Sequence, residues 1–240
     1  MLTYRNLKVN SDYFVCMLQL CMIKKVYHHG NLKDESLQIA LDFIAKHEVE
    51  KLTLKVLSDE TGTSRSAIYK HFASKDALIE KVIEHGFELF DKATNPILSD
   101  KKSALIDRFY LAGKAYILFA KENPNLYRLL FGKKYAHLRE EIISIKDENC
   151  SGFAALQLAV VEGQESGVFK KKDAHEQTII IWASLHGLSS LIIDGFMDVE
   201  ELYESLYDNM FDTLLAGAIA NKVKILSGLP FGERLLKPKV

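Results

Sequence analysis

The sequence predicts an all-α chain: an N-terminal three-helix domain joined by a fourth helix to a larger helical C-terminal domain. Three observations carry that prediction. Apolar residues recur along most of the chain at i, i+3, i+4 and i+7, the spacing of one helix face. Turn formers are scarce, with 13 Gly and 4 Pro in 240 residues, where about 7% and about 5% are usual. No segment alternates apolar and polar residues as a half-buried strand does. At 48% hydrophobic and 26% charged residues the composition is that of a globular protein with a proper core, which excludes a disordered or fibrous chain.

The elements follow in order. Leu37, Ala40, Leu41 and Ile44 share one face and predict a first helix ending near His47. Thr53 is a good N-cap for a short second helix over 54–61, because its hydroxyl can accept from a free first-turn amide. Gly62 then stops that helix, as a glycine just beyond a helix end does. Ser64 can cap a third helix through Phe72, and Ser74 a fourth that runs to about Asn95, where Pro96 is expected to end it. Leu105, Phe109, Ala112, Tyr116 and Phe119 predict a helix over 103–122, closed by Asn123 and Pro124 and followed by a short helix in NLYRLLF. Residues 137–166 form a long amphipathic stretch ended by Gly167. In 174–193 the run Ile179, Ile180, Ile181, Trp182 is apolar all round, which predicts a helix buried all round. The last long helix carries Val199, Leu202, Tyr203, Leu206, Tyr207, Met210, Phe211, Leu214, Leu215 and Ala218, a stripe able to serve both core and interface. From Lys222, with Gly228, Pro230, Gly232 and Pro238, the tail reads as irregular.

Charge and cysteines narrow the function classes. Lys and Arg number 31 against 32 Asp and Glu, a net charge of −1, so no overall basic field draws the molecule onto nucleic acid or a membrane, and any DNA contact must be local. Cys16, Cys21 and Cys150 are too few and scattered for a disulfide framework or a zinc site, and a reducing cytoplasm suits them. Cys150 is either a redox sensor or inert packing. The longest apolar run, Tyr13 to Ile23, is broken by Gln19 and falls short of the roughly 18 to 20 residues of a membrane span, so no membrane partner is expected. Residues 1–21 lack the cleavage site of a signal peptide. The functional chain is expected to start near Met22, leaving 1–23 as an extension that is either frayed or the result of a start codon assigned too early, or else a helix packing on a partner. The segment from Asp147 to Gly152 copies half of an EF-hand calcium loop, but its twelfth position is Leu158 instead of Glu, so it is rejected. Adjacent His28 and His29 lack the spacing of metal ligands on one helix face, and a phosphate or groove contact suits them better. The chain shows no nucleophile, base and orienter set, no Gly-rich phosphate loop and no metal-ligand helix. It is therefore read as a non-enzyme with no cofactor and no metal.

Residues 53–75, TLKVLSDETGTSRSAIYKHFASK, form a helix, a tight turn and a second short helix, which is helix-turn-helix spacing. At about 100° per residue, Ile68 and Phe72 share one face of that second helix while Arg65, Ser66, Tyr69 and Lys70 point the other way. Between Gly62 and Lys75 there is no acidic residue, although Arg65, Lys70 and Lys75 are present. Such a strip is the local footprint of a DNA-facing helix. Arg65 and Ser66, in the first turn, can reach base edges, and Arg favours guanine. Tyr69 and Lys70 suit phosphates, and Lys75 beside the fourth helix's free amides suits a second phosphate clamp. Thr53, His71, His28 and His29 complete the candidate DNA-binding set. The bland alternative is a short basic helix on a protein surface.

The segment GTSRSAIYKHFASKDALI resembles the DNA-binding signature of TetR/AcrR-type bacterial transcriptional regulators, matched at Gly62, Ser64, Ile68, Tyr69, His71, Phe72, Ser74, Lys75 and Leu78. YHHGNL at 27–32, AYILFAKENPNLYRLLFG at 115–132 and WASLHGLSSLIIDG are similar to the subgroup named for a Trp-His-Gly element, here Trp182, His186 and Gly187. The resemblance covers residues 24 to about 218. It implies a helix-turn-helix DNA-binding domain over 24–85, a helical ligand-binding and dimerisation domain over 86–221, and a tail at 222–240. It also implies a cytoplasmic homodimer on a palindromic double-stranded operator, and repression relieved by a small hydrophobic effector. The interface would lie on the last two long helices, with Leu188, Ile192, Leu206 and Met210 as the best contacts. Tyr116, Phe119, Tyr127, Phe131 and Trp182, with His186 as the polar group, are the candidate effector set; equally, Trp182 and His186 could simply pin a helix. Ser58 and Thr61 stand where the family usually has Ala, and Thr63 where it usually has Val. Hydroxyls there can bond back to a helix carbonyl, which weakens the expected stability of that seam. The rival reading is a small-molecule-binding helical protein with a degenerate helix-turn-helix.

Overall fold

The structure, a computed structural model, describes residues 32–139, 152–196 and 199–219, without the side chains of 199–204. His28, His29, the three cysteines, residues 147–151 of the calcium-like segment, the N-terminal extension and the tail from Lys222 lie outside the described residues. The described residues are helical: α1 (Leu32–Lys46), α2 (Leu54–Thr61), α3 (Arg65–Tyr69), α4 (Lys75–Ser99), α5 (Leu105–Glu122), α6 (Pro124–Phe131), α7 (Gly152–Glu165), α8 (Ala174–Ile193) and α9 (Val199–Ala218). Short 3-10 turns occupy Val49–Lys51 and Lys133–Tyr135, and an isolated bridge pairs Phe169 with Ile219. The all-α class is therefore as the periodicity predicts. Among the described residues no helix is long and apolar enough to cross a membrane.

Two compact units share the chain. Of the described residues one holds 32–92 and 119–139, the other 93–118, 152–196 and 199–219. In the first unit the i, i+3, i+4 faces of α1 to α4 bury Leu41, Ile44, Leu57, Ile68, Leu78 and Ile79 almost completely, and Phe72, in the turn between α3 and α4, is buried with them, each such side chain worth about 1.5–3 kcal/mol of transfer free energy. Acidic Asp34 and Glu35 in the first turn of α1 and Lys46 in its last complement the helix dipole. The end of α1 leaves carbonyls without helical partners; the Asn125 side-chain amide of α6 donates to Ile44 O at 3.0 Å and His47 O at 3.2 Å. Helices α4 and α6 approach closely at Gly86, where a Cβ would press on Leu126 and Leu130.

The second unit is organised around a buried cation and a tyrosine pair. The Arg108 guanidinium donates to Leu98 O at 2.8 Å and to both oxygens of Glu162, which also pairs with Lys101. Arg108 holds the Glu162 carboxyl below its ordinary value, with Lys101 adding to the effect. Tyr207 donates to Tyr110 O, and Tyr110 donates to Asp208 Oδ1 at 2.7 Å. Phe109 and Phe169 meet edge to face.

Three expectations need correction. Pro96 does not end α4, which continues to Ser99. A proline removes one helical hydrogen bond, but only one short turn follows it, and that turn is held by buried Leu98, whose carbonyl accepts from Arg108. Helix α3 stops at Tyr69 rather than Phe72, because the amides of His71 and Phe72 both turn onto Ile68 O. Helix α8 is not buried all round: Ile179, Ile180, Trp182 and Leu191 are exposed, Ile180 by 57%. An all-round apolar helix implies all-round burial only when whatever covers it belongs to the same chain. Of the stretch expected over 137–166, the described part contains α7 from Gly152, ended as expected by Gly167 at φ +73.

Candidate nucleic-acid interface

The geometry of residues 53–77 is built from its caps. Thr53 Oγ1 accepts from Val56 N at 3.1 Å and starts α2. Gly62 ends it at φ 65, the left-handed conformation that glycine adopts without penalty. Ser64 Oγ accepts from Ala67 N at 3.2 Å and starts α3, and Ser74 Oγ accepts from Ala77 N at 3.0 Å and starts α4. Ile68 and Phe72 are 0% and 1% exposed and pin α3 to the unit. On the opposite side Arg65, Ser66, Tyr69, Lys70 and His71 are all exposed. Five positions with donor groups thus stand together on a face that carries no carboxylate between Gly62 and Lys75.

Lys75 has local partners. Its ammonium donates to Glu50 O at 2.8 Å, using one of three donors and leaving two. The Glu50 carboxylate is itself paired with Lys134. The hydrogen bond from Lys134 is the main reason the Glu50 carboxyl lies below its ordinary value, and the Lys134 ammonium lies above its own for the same reason. Sequence reasoning missed Glu50 and Lys134, which stand 84 residues apart and carry no local signal that they meet. The seam hydroxyls find partners: Ser58 Oγ donates to Lys55 O at 2.8 Å, Thr61 Oγ1 to Leu57 O at 2.8 Å, and Thr63 Oγ1 lies 2.8 Å from Thr61 Oγ1.

The candidate effector residues fall into two groups, one in each unit. In the second unit Trp182 Nε1 donates to the Tyr116 hydroxyl at 3.2 Å, and the Trp182 and His186 rings lie 6.0 Å apart. Phe153, which sequence reasoning missed, stands edge-on to Trp182 and to His175. His186 is half-buried, and that burial pushes its imidazole below the ordinary value. In the first unit Phe119, Tyr127 and Phe131 pack with Phe87 and Phe90, and Phe119 and Tyr127 are fully buried. Leu188 and Ile192 on α8, with Leu206 and Met210 on α9, are half-buried.

A family model described as bacterial regulatory proteins, tetR family, matches residues 37–82, and one described as tetracyclin repressor-like, C-terminal domain, matches residues 109–214. The chain is 35% identical over 103 residues to the nucleoid occlusion factor SlmA of Aliivibrio fischeri, covering 42% of this chain and 52% of that one. It is 32% identical over 103 residues to the same factor of Vibrio cholerae, again over 42% and 52%. The chain thus spans about half the length of the curated relatives it matches. Among solved structures, a Rhodococcus protein of unknown function superposes with a TM-score of 0.67 at 27% identity over 82% of this chain and 100% of that one. A TetR-family transcriptional regulator of Haemophilus influenzae superposes with a TM-score of 0.56 at 20% identity over 75% and 94%; at that identity the likeness speaks for the fold.

Proposed function

Because the chain belongs to the TetR family of bacterial regulatory proteins, matched over both its N-terminal and C-terminal regions, we propose that it is a ligand-responsive, DNA-binding transcriptional regulator. One observation carries the reading: α3 is pinned by Ile68 and Phe72 and turns Arg65, Ser66, Tyr69 and Lys70 outward as a positive strip. That strip concentrates attraction for phosphate locally on a molecule of net charge −1. In this reading residues 24–85 bind DNA and 86–221 bind ligand and a second copy. The protein acts in the cytoplasm as a homodimer on a palindrome, as a repressor released by a small hydrophobic effector. Arg65 and Ser66 read bases, Tyr69, Lys70 and Lys75 contact phosphates, and Thr53 and His71 flank them.

The Trp182, His186 and Gly187 arrangement supports the Trp-His-Gly subgroup, and the hydrogen-bonded Tyr116 and Trp182 pair, with neighbouring His186, supports an effector site on that side of α8. An effector that prefers a conformation mismatched to the operator shifts the population by no more than its differential affinity, and the coupling is reciprocal. Selecting duplexes from a randomised pool with the purified protein tests the DNA-binding reading. A recovered palindrome, with affinity falling steeply in salt, is the expected result. No enrichment, together with heparin retention that ignores salt, establishes the rival small-molecule binder with a degenerate helix-turn-helix.

A further inference from the structure

Resting on the reading of α3 as the DNA-facing helix, we propose that Thr61 and Thr63 are positioning residues for base recognition. Their hydroxyls form a proton-ordered chain that locks the turn and sets the register in which α3 presents Arg65 and Ser66. Thr61 Oγ1 lies 2.8 Å from Leu57 O and 3.3 Å from Ser58 O, and 2.8 Å from Thr63 Oγ1. A hydroxyl has one proton and a carbonyl has none. The Thr61 proton is therefore committed to the α2 carbonyls, and the proton between the two threonines comes from Thr63. The direction is fixed: Thr63 donates to Thr61, and Thr61 donates to the last turn of α2.

Two consequences follow from that order. First, Thr63 has no proton left for a phosphate oxygen, which only accepts, so its role is not a backbone contact to DNA. Second, the turn is tied by side chains as well as by its backbone bonds, Gly62 N to Asp59 O at 3.4 Å and Thr63 N to Ser58 O at 3.1 Å. Hydrogen bonds are directional, whereas an apolar seam of Ala and Val constrains distance more than direction. Base-reading groups need placement within about 0.5 Å and 10–20°. Thr63 immediately precedes Ser64, the cap of α3, so the orientation of the chain entering α3 is set where this tether ends.

The test compares two duplexes of equal length and composition: one selected by the wild type from a randomised pool, and a scrambled version of it. Thr61→Ala and Thr63→Val should each lose about tenfold on the selected duplex, about 1.4 kcal/mol, and change less than about twofold on the scrambled one. Thr63→Ser, which keeps the hydroxyl, should bind as the wild type does. The double variant Thr61→Ala, Thr63→Val should be no worse than the weaker single variant, because both remove one shared interaction. Thermal midpoints follow folding, and the serine variant keeps the test decisive if Thr63→Val folds poorly. Unchanged discrimination in both single variants overturns the proposal, as do equal losses on both duplexes. A wild type that selects no sequence overturns the DNA-binding reading and this proposal with it, whereas wild-type selection with indifferent threonine variants overturns this proposal alone.

Discussion

Arg65 and Lys75 stand at the starts of successive helices, and the proposed function gives them different work. Arg65 is exposed beyond the capped turn, so Arg65→Ala should cost about 1–3 kcal/mol on a selected duplex and relax one base position. Lys75→Ala should weaken all sequences and lower the salt slope by about one unit; equal losses on selected and random duplexes for both variants would remove the distinction. The Glu50 and Lys134 pair adds a prediction that the sequence did not offer. Lys134→Ala frees the Glu50 carboxylate beside Lys75, so random-duplex affinity should fall in low salt and recover when Glu50→Gln is added. The outward face of α3 was legible because its period and its lack of acids are local properties. The pair that flanks Lys75 was not, because two residues so far apart along the chain meet only through tertiary packing. The six effector candidates all carry rings, but composition does not say which rings pack with which, and the structure sorts them into two groups.

At the scale of elements, the chain announces its boundaries wherever a cap is a single side chain. Thr53, Ser64 and Ser74 each accept from the amide three residues on, and Gly62 takes the left-handed conformation, all as their residue types predict. The sequence misleads where tertiary contacts outweigh a local rule, as at Pro96, whose helix is carried past it by buried Leu98 and its carbonyl bond to Arg108. It is silent on how closely two helices approach. Gly113 on α5 is such a place: a Cβ there would overlap the Tyr207 hydroxyl of α9, which donates to Tyr110 O, and would crowd Leu185 of α8. Gly113→Ala should therefore gain helix propensity and still destabilise the protein by about 1–3 kcal/mol, the usual cost of overpacking. A thermal midpoint at or above that of the wild type would show that α9 yields without cost.

At the scale of the whole molecule, two collective properties follow, one in acid response and one in assembly. Burial is the leading cause of the lowered values of His85 and His186. The unfolded chain therefore binds protons first, and their contribution to stability declines as pH falls through the ordinary histidine value of 6.5. Glu50 and Glu162, lowered by Lys134 and Arg108, contribute stability above the ordinary 4.5 that is lost as pH falls through their folded values. Burial raises Asp107, which acts in the opposite sense, its cost fading as it protonates. The thermal midpoint should fall from pH 7 to 5, and His186→Gln should flatten part of that fall; an unchanged slope would place the sensitivity elsewhere.

Assembly follows from α8. At about 100° per residue, Ile180, Ala183, Gly187 and Leu191 form one outward stripe, all exposed, with small residues at its centre where a second helix can come close. Phe196, just beyond the helix, is 77% exposed. A cluster of that kind on a single helix marks an interaction surface, and a second copy of the chain covers it in the proposed homodimer. Leu188 and Ile192, the contacts expected on the same helix, are half-buried. Charges set into such an interface would be buried without partners. Ile180→Glu with Leu191→Glu should therefore sediment as a monomer with its thermal unfolding still cooperative. It should also lose the palindrome's affinity advantage over a half-site, since paired recognition helices need the two-fold spacing of about 34–36 Å or a multiple. Leu206→Glu with Met210→Glu tests the contribution of α9 in the same way. A dimer that persists in both double variants would remove α8 and α9 as the interface and leave the reading of α3 untouched.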